Sequence, residues 1–129
     1  MYLNNNISES EFQEIIHRRS NDNLSFSEFL VLLSQRGINT YEIDVATGQA
    51  TYKGVYADFK TDPQVSLDIS KKFDGKKVLE AIANISLPFI DFLKEIAEAG
   101  IVTYRVYIPE KKVIYIGSGE EELKEQLKL

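Results

Sequence analysis

A chain of 129 residues, 43% hydrophobic and 27% charged, is long enough to bury a core of its own. Without cysteine it can hold no disulfide framework, no thiolate metal site and no thiol nucleophile. The net charge of −5, with the basic pairs Arg18-Arg19, Lys71-Lys72, Lys76-Lys77 and Lys111-Lys112 scattered among acids, argues against nucleic acid as a partner.

No apolar stretch reaches the ~18 residues of a membrane span. Met1–Asn6 has neither the basic start nor the apolar run of an export signal, so the expected compartment is the cytoplasm. Ser8-x-x-Glu11 is a capping-box pattern, and Phe12, Ile15 and Ile16 follow at helical spacing, predicting a helix over about Glu9–Arg19 that the polar run Ser20–Asn23 ends. Ser25-x-x-Glu28 repeats the box. Phe26, Phe29, Leu30 and Leu33 stripe a second helix, and Gly37 stands where a left-handed residue closes a helix. Tyr41, Ile43 and Val45 then alternate with polar residues, the pattern of a strand with one buried face. A loop at Ala46–Gln49 would set Val45 against Ala50, Ile43 against Tyr52 and Tyr41 against Gly54, leaving Glu42 opposite Lys53 and Asp44 opposite Thr51 on the solvated side. Residues 57–71 read as a linker with a turn at Asp62-Pro63; alternating Val65, Leu67 and Ile69 allow a short strand in it. A helix capped by Asp74 is predicted over about Gly75–Asn84, burying Val78, Leu79 and Ile82. Ser86-Leu87-Pro88 opens another, with Phe89, Phe92, Leu93 and Ile96 as its stripe and Gly100 as its end. A second hairpin, Val102–Ile108 and Val113–Gly117, turns at Pro109–Lys112. Glu120–Leu129, acids first and lysines later with Leu123 and Leu127 one turn apart, reads as a short helix started near Ser118.

These elements form a repeat. Phe26/Phe89, Phe29/Phe92, Leu30/Leu93, Gly37/Gly100, Ile38/Ile101, Thr40/Thr103, Tyr41/Tyr104, Tyr52/Tyr115 and Gly54/Gly117 are identical at one ungapped offset of 63. The plan is helix, helix, strand, strand, used twice, in units of about 9–56 and 72–119. One such unit alone is marginal, so the expected fold is a single α+β domain with pseudo-two-fold symmetry and antiparallel sheet. The pattern leaves open whether the hairpins join in one sheet or face each other across the helices.

Phe26-x-Glu28-Phe29-Leu30, Gly37-Ile38-x-Thr40-Tyr41-x-x-Asp44 and Thr51-Tyr52 in the first unit resemble a small bacterial family of unknown function. So do Phe92-Leu93, Ala99-Gly100-Ile101, Tyr104 and Tyr115-Ile116-Gly117 in the second. Some members of that family carry the label "phage envelope protein". The resemblance spans about residues 9–122 and implies an intracellular single-domain protein without an assigned activity; the label adds a structural phage component as one reading. The chain departs from the family after Tyr52, where members continue with a second aromatic and an Asp-Gly-Glu turn and this chain has Lys53-Gly54-Val55-Tyr56. It departs again after Gly117, where members continue as a strand.

Candidate chemistry is sparse. His17 is the single histidine and sits beside Arg18-Arg19, a solvent-edge position; with no second histidine and no carboxylate loop of ligand spacing, neither a metal nor a cofactor is expected. Glu42 and Asp44 share a strand face but read as a solvated pair facing Lys53. Gly117-Ser118-Gly119 lacks the phosphate-loop and dinucleotide patterns and is followed by three glutamates, so it reads as a turn or helix start. Tyr41, Tyr52, Tyr104 and Tyr115 fall at equivalent inner-face positions, either as core with hydroxyls at the rim or as matched hydroxyls lining a ligand cleft between the units. Arg105, Tyr107, Ile114 and Ile116 share the outer face of the second hairpin, which calls either for cover by Leu123, Leu127 and Leu129 or for a homodimer or protein-partner interface. The expectation is a non-enzymatic binding module, the alternative a small enzyme or ligand sensor with its site between the units. Residues 1–63 hold 5 basic and 9 acidic side chains and residues 64–129 hold 10 and 11, so the nearly neutral second unit is the expected contact surface.

Overall fold

The computed structural model describes residues 9–20, 24–55, 58–84 and 87–127; the capping serine predicted at Ser8, the end of the first helix at residues 21–23, Ser86 and Leu129 lie outside them. Helices α1 (Glu9–Ser20) and α2 (Phe26–Gln35) precede strands β1 (Ile38–Asp44), β2 (Ala50–Gly54) and β3 (Asp58–Lys60). Helices α3 (Gly75–Ala83) and α4 (Phe89–Glu98) precede β4 (Ile101–Tyr107), β5 (Lys112–Gly117) and β6 (Glu122–Gln126). The local signals act as read. Ser25 and Glu28 form a full capping box, Asp74 accepts from the Lys77 N–H at 3.1 Å, and Gly37 and Gly100 both have left-handed φ, +83° and +88°.

The six strands form one antiparallel sheet in the order β3-β2-β1-β4-β5-β6, so the two hairpins join edge to edge through β1 and β4. At the centre of that junction Glu42 pairs with Arg105, 63 residues away, which is the repeat offset. Equivalent residues face each other there, so the pseudo-two-fold axis passes through this pair. The two bulges obey the same symmetry, between Ile38 and Thr40 in one hairpin and between Ile101 and Thr103 in the other. All four helices pack on the face bearing the tyrosines. Phe12, Leu33, Val45, Val78, Leu93, Ile96 and Ile101 are fully buried between the layers, and truncating any of the leucines or isoleucines to alanine would cost ~2–5 kcal/mol.

Four local expectations are corrected. In the first hairpin Tyr41 faces Tyr52 and Ile43 faces Ala50, two residues from the expected register. A slip of two keeps every side chain on its face; its cause is a wider loop, because the Val45 N–H is drawn to the Val102 carbonyl (3.0 Å) and Gly48 closes the turn onto the Asp44 carbonyl. Glu42 therefore lies opposite Thr51 and Arg105, and Lys53 lies opposite Thr40. Residues 65–69 form no strand: Gln64 and Val65 donate to the Thr47 carbonyl and Leu67 to that of Ala46, while β3 forms within the stretch read as linker. Residues 122–126 are strand β6 and not a helix, and Leu123 and Leu127 pack on the helix side of the sheet and leave the opposite face uncovered by them. Leu79, expected in the core, is 56% exposed, because α3 lies at the margin of the layer.

Gly100 joins the layers most tightly. A β-carbon there would come within 2.5 Å of the Lys72 carbonyl oxygen, in addition to the left-handed backbone that alone costs ~1–2 kcal/mol for an L-residue. Gly100→Ala is therefore expected to destabilise by more than ~2 kcal/mol, read as a drop in urea midpoint; a loss below ~1 kcal/mol would contradict the clash.

Candidate functional site

The tyrosines meet as two copies of one cluster. Tyr41 and Tyr52 are cross-strand partners whose rings stack with centroids 4.9 Å apart, and Phe29 of α2 meets both at steep angles, 6.1 and 6.4 Å away. In the second unit Tyr104 and Tyr115 lie 5.4 Å apart under Phe92 of α4, at 6.0 and 6.5 Å. Phe12 extends the first cluster, touching Tyr52 at 4.8 Å and stacking on Phe59 at 4.6 Å. Each such ring pair adds ~0.5–1.5 kcal/mol beyond its buried area. All four tyrosines are at least 93% buried.

Burial is the main cause that drives the four phenols well above their ordinary pKa. The nearby hydroxyls add to it, Tyr104 and Tyr52 acting on Tyr41, and Tyr115 and Tyr52 acting on Tyr104. In the neutral form that burial favours they can donate and accept hydrogen bonds. Two charges reach this centre that the sequence reading missed. Arg19, at the end of α1, donates to the Leu24 carbonyl at 2.9 Å and lies over the rings of Phe26 and Phe29 at 5.7 and 5.8 Å. Its charge opposes the upward shift of Tyr41, Tyr52 and Tyr104. Glu125 of β6 accepts from the Tyr115 hydroxyl at 2.8 Å; burial raises its pKa and that hydrogen bond partly offsets the rise. The signal for Glu125 was the alternation Leu123, Glu125, Leu127, which places a carboxylate on the inner face once the segment is read as a strand.

Two surface grooves lie elsewhere. Asp74, Lys77, Asn84 and Glu95 line a groove of about 310 Å³ between α3 and α4; Glu11, Glu14, Arg18 and Arg36 line one of about 170 Å³ between α1 and α2. None of the four tyrosines lines either groove. In the first, the Lys77 ammonium is held by Glu98 at 3.2 Å and Glu95 at 3.7 Å; in the second, Arg36 lies 3.6 Å from Glu11.

On the opposite face of the sheet Arg105, Tyr107, Ile114 and Ile116 lie together on β4 and β5, outside the core cluster. Arg105 Nε donates to Glu42 Oε1 at 2.7 Å, and the Lys112 ammonium sits 5.1 Å from the centre of the Tyr107 ring. The repeat-equivalent positions in the first unit are Glu42, Asp44, Thr51 and Lys53. Glu42 and Asp44 do not act as a pair: one is bound to Arg105, and the other accepts from the Thr47 hydroxyl at 2.6 Å. Gly117–Gly119 is a turn, and the Glu121 carboxylate accepts the Gly119 N–H at 2.8 Å, occupying the donor an anion would use. His17 is exposed, and among the described residues no group of three or more carboxylates and histidines is placed to hold a metal ion.

Because the folded pKa of Glu125 is raised, the folded state holds its proton more tightly than the unfolded chain does. The group therefore contributes stability at pH below about 4.5, its ordinary value, and that contribution is lost as pH rises through the folded pKa. Glu125→Gln should remove this slope: the urea midpoint of the variant relative to the parent is expected to rise with pH from 4.5 upward. A difference that does not change with pH would contradict the assignment.

No curated protein matches the chain. The model of a family described as protein of unknown function, DUF1398, matches residues 13–126, which runs from within α1 to the end of β6 and so takes in all six strands. The chain thus belongs to the DUF1398 family, and the paired units joined at Glu42–Arg105 are this member's form of it.

Proposed function

We propose that this protein is a non-enzymatic interaction module whose contact surface is the open sheet face of the second unit, and that its partner on that face is a second copy of the chain. The observation that carries the reading is the divergence of the two outer faces at equivalent positions. Glu42, Asp44, Thr51 and Lys53 in the first unit are ordinary for a strand face in water, whereas Arg105, Tyr107, Ile114 and Ile116 in the second present an aromatic ring and two β-branched apolar side chains. The inner faces, by contrast, keep Tyr41/Tyr104 and Tyr52/Tyr115 identical. A face that is polar in one unit and largely apolar at the equivalent positions of the other fits a contact made through the second unit. Stacking that face on itself by a two-fold axis is isologous and closes without leaving an open end.

Tyr107→Asp combined with Ile116→Lys leaves the core untouched and is expected to halve the mass measured by sedimentation equilibrium, with an unchanged circular dichroism spectrum. A parent that is monomeric at high concentration, or a mass the double variant does not change, would overturn the reading. A ligand site between the units has one observation in its favour, the closeness of phenols from the two units across the β1–β4 junction, where Tyr104 acts on Tyr41 and Tyr52 acts on Tyr104. Native mass spectrometry of the purified protein tests it: a small molecule retained non-covalently by the parent and lost in Tyr52→Phe with Tyr104→Phe supports that reading, and a bare chain mass removes it.

A further inference from the structure

The sheet ends in two edges, β3 with three residues and β6 with five. Two hydrogen bonds fix how β6 is turned: the Gly117 N–H donates to the Glu121 carbonyl at 2.7 Å, and the Leu127 N–H donates to the Lys111 carbonyl at 2.7 Å. In an antiparallel ladder the residues that exchange bonds with the neighbour alternate with those that do not. Residues 121, 123, 125 and 127 therefore point their backbone groups at β5, and Glu122, Lys124 and Gln126 point theirs away from the molecule. Their side chains lie on the open face, opposite Ile116, Ile114 and Lys112.

We propose that the outward edge of β6 pairs antiparallel with β6 of a second copy, in the register that sets Glu122 of each chain against Lys124 of the other. This edge borders the open-face contact proposed above, since Glu122 and Lys124 lie opposite Ile116 and Ile114, but it is made by the outward backbone of β6 and not by the side chains of β4 and β5. The register satisfies backbone and charge together. The backbone groups of Glu122 and Lys124 both point outward, so each cross-chain pair exchanges two hydrogen bonds, and each also sets a carboxylate beside an ammonium on the open face. Among the described residues neither side chain has an ion-pair partner within its own chain. On the helix side the same register sets Leu123 against its own copy. The next register along, centred on Lys124, would oppose two ammonium groups and is disfavoured.

Two further features fit. A β-carbon at Gly75 would lie 3.6 Å from Leu123 Cδ1, so that side of α3 overhangs β6; Leu79, one turn further on the same side, is 56% exposed. A second copy docked at the edge gives this leucine an apolar neighbour. Inward-pointing charges are a common defence of edge strands, but Glu125 is folded under the sheet by the Tyr115 hydroxyl, and Glu121, which the register brings opposite it, is held by the Gly119 N–H. Neither carboxylate projects along the edge.

The test is amide hydrogen exchange at Glu122 and Lys124 over a range of protein concentration, together with sedimentation equilibrium, on the parent and on a Tyr107→Asp chain, whose change lies on β4 and leaves Ile116 and Ile114 opposite Glu122 and Lys124, so that the edge is read with the face contact present and weakened. Protection of the two amides should rise with concentration in both. Glu122→Lys or Lys124→Glu alone puts like charges opposite each other twice and should weaken the edge dimer about tenfold, while the exchanged pair Glu122→Lys/Lys124→Glu should restore it. Exchange independent of concentration, or an exchanged pair no tighter than the single variants, would overturn the proposal whatever the outcome for the open face.

Discussion

The antiparallel junction of β1 with β4 is the constraint on which the remainder of the molecule depends. A single unit has two helices on three strands, with β1 as an open edge and half of its core facing nothing. Joining β1 to β4 removes both defects at once, since the ladder satisfies the backbone groups of the two inner edges and the two half-cores become one layer running from Phe12 to Val78. The Glu42–Arg105 pair at its centre is half-exposed and is worth no more than ~1 kcal/mol as an ion pair. Its effect is on choice of partner. A position on a two-fold axis meets its own equivalent, so two first units joined the same way would set Glu42 against Glu42, whereas the first joined to the second sets carboxylate against guanidinium.

The symmetry also separates what is needed for folding from what is free to change. On the inner face the clusters of Phe29, Tyr41 and Tyr52 and of Phe92, Tyr104 and Tyr115 are superposable in residue type and nearly so in distance, because each ring fills a space set by a helix crossing a twisted sheet, and close packing leaves little latitude. On the outer face no described helix packs, and there the units differ at Glu42/Arg105, Asp44/Tyr107, Thr51/Ile114 and Lys53/Ile116. Matched tyrosines in a sequence thus trace a shared core, while unmatched positions on the other face trace the surface on which one unit differs from the other.

Burial sets the character of the tyrosine centre. Phenols kept neutral by desolvation contribute ring area and hydroxyl dipoles, and the one carboxylate drawn among them, Glu125, is held by a hydroxyl and pushed toward its protonated form. A hydrogen-bonded polar group at the rim of an aromatic core confers specificity of packing more than chemistry.

The sequence by itself determined the four helices, the caps at Ser25 and Asp74, the identity of both hairpins, the doubling at an offset of 63 and hence the α+β class, because capping boxes, left-handed glycines and period-2 alternation act within a few residues of one another. Tertiary structure decided what depends on distant partners. The Val102 carbonyl drew Val45 out of its hairpin and moved the register by two, and Arg105 replaced Lys53 as the partner of Glu42. Leu123 and Leu127, four residues apart, satisfy the helical period and the strand period equally; only the free edge of β5, with a hydroxyl on Tyr115 waiting for Glu125, selected the strand. Local spacing carries no information about which edge lies beside it, and that is why the two units, their axis and the edge they leave open had to be seen in three dimensions.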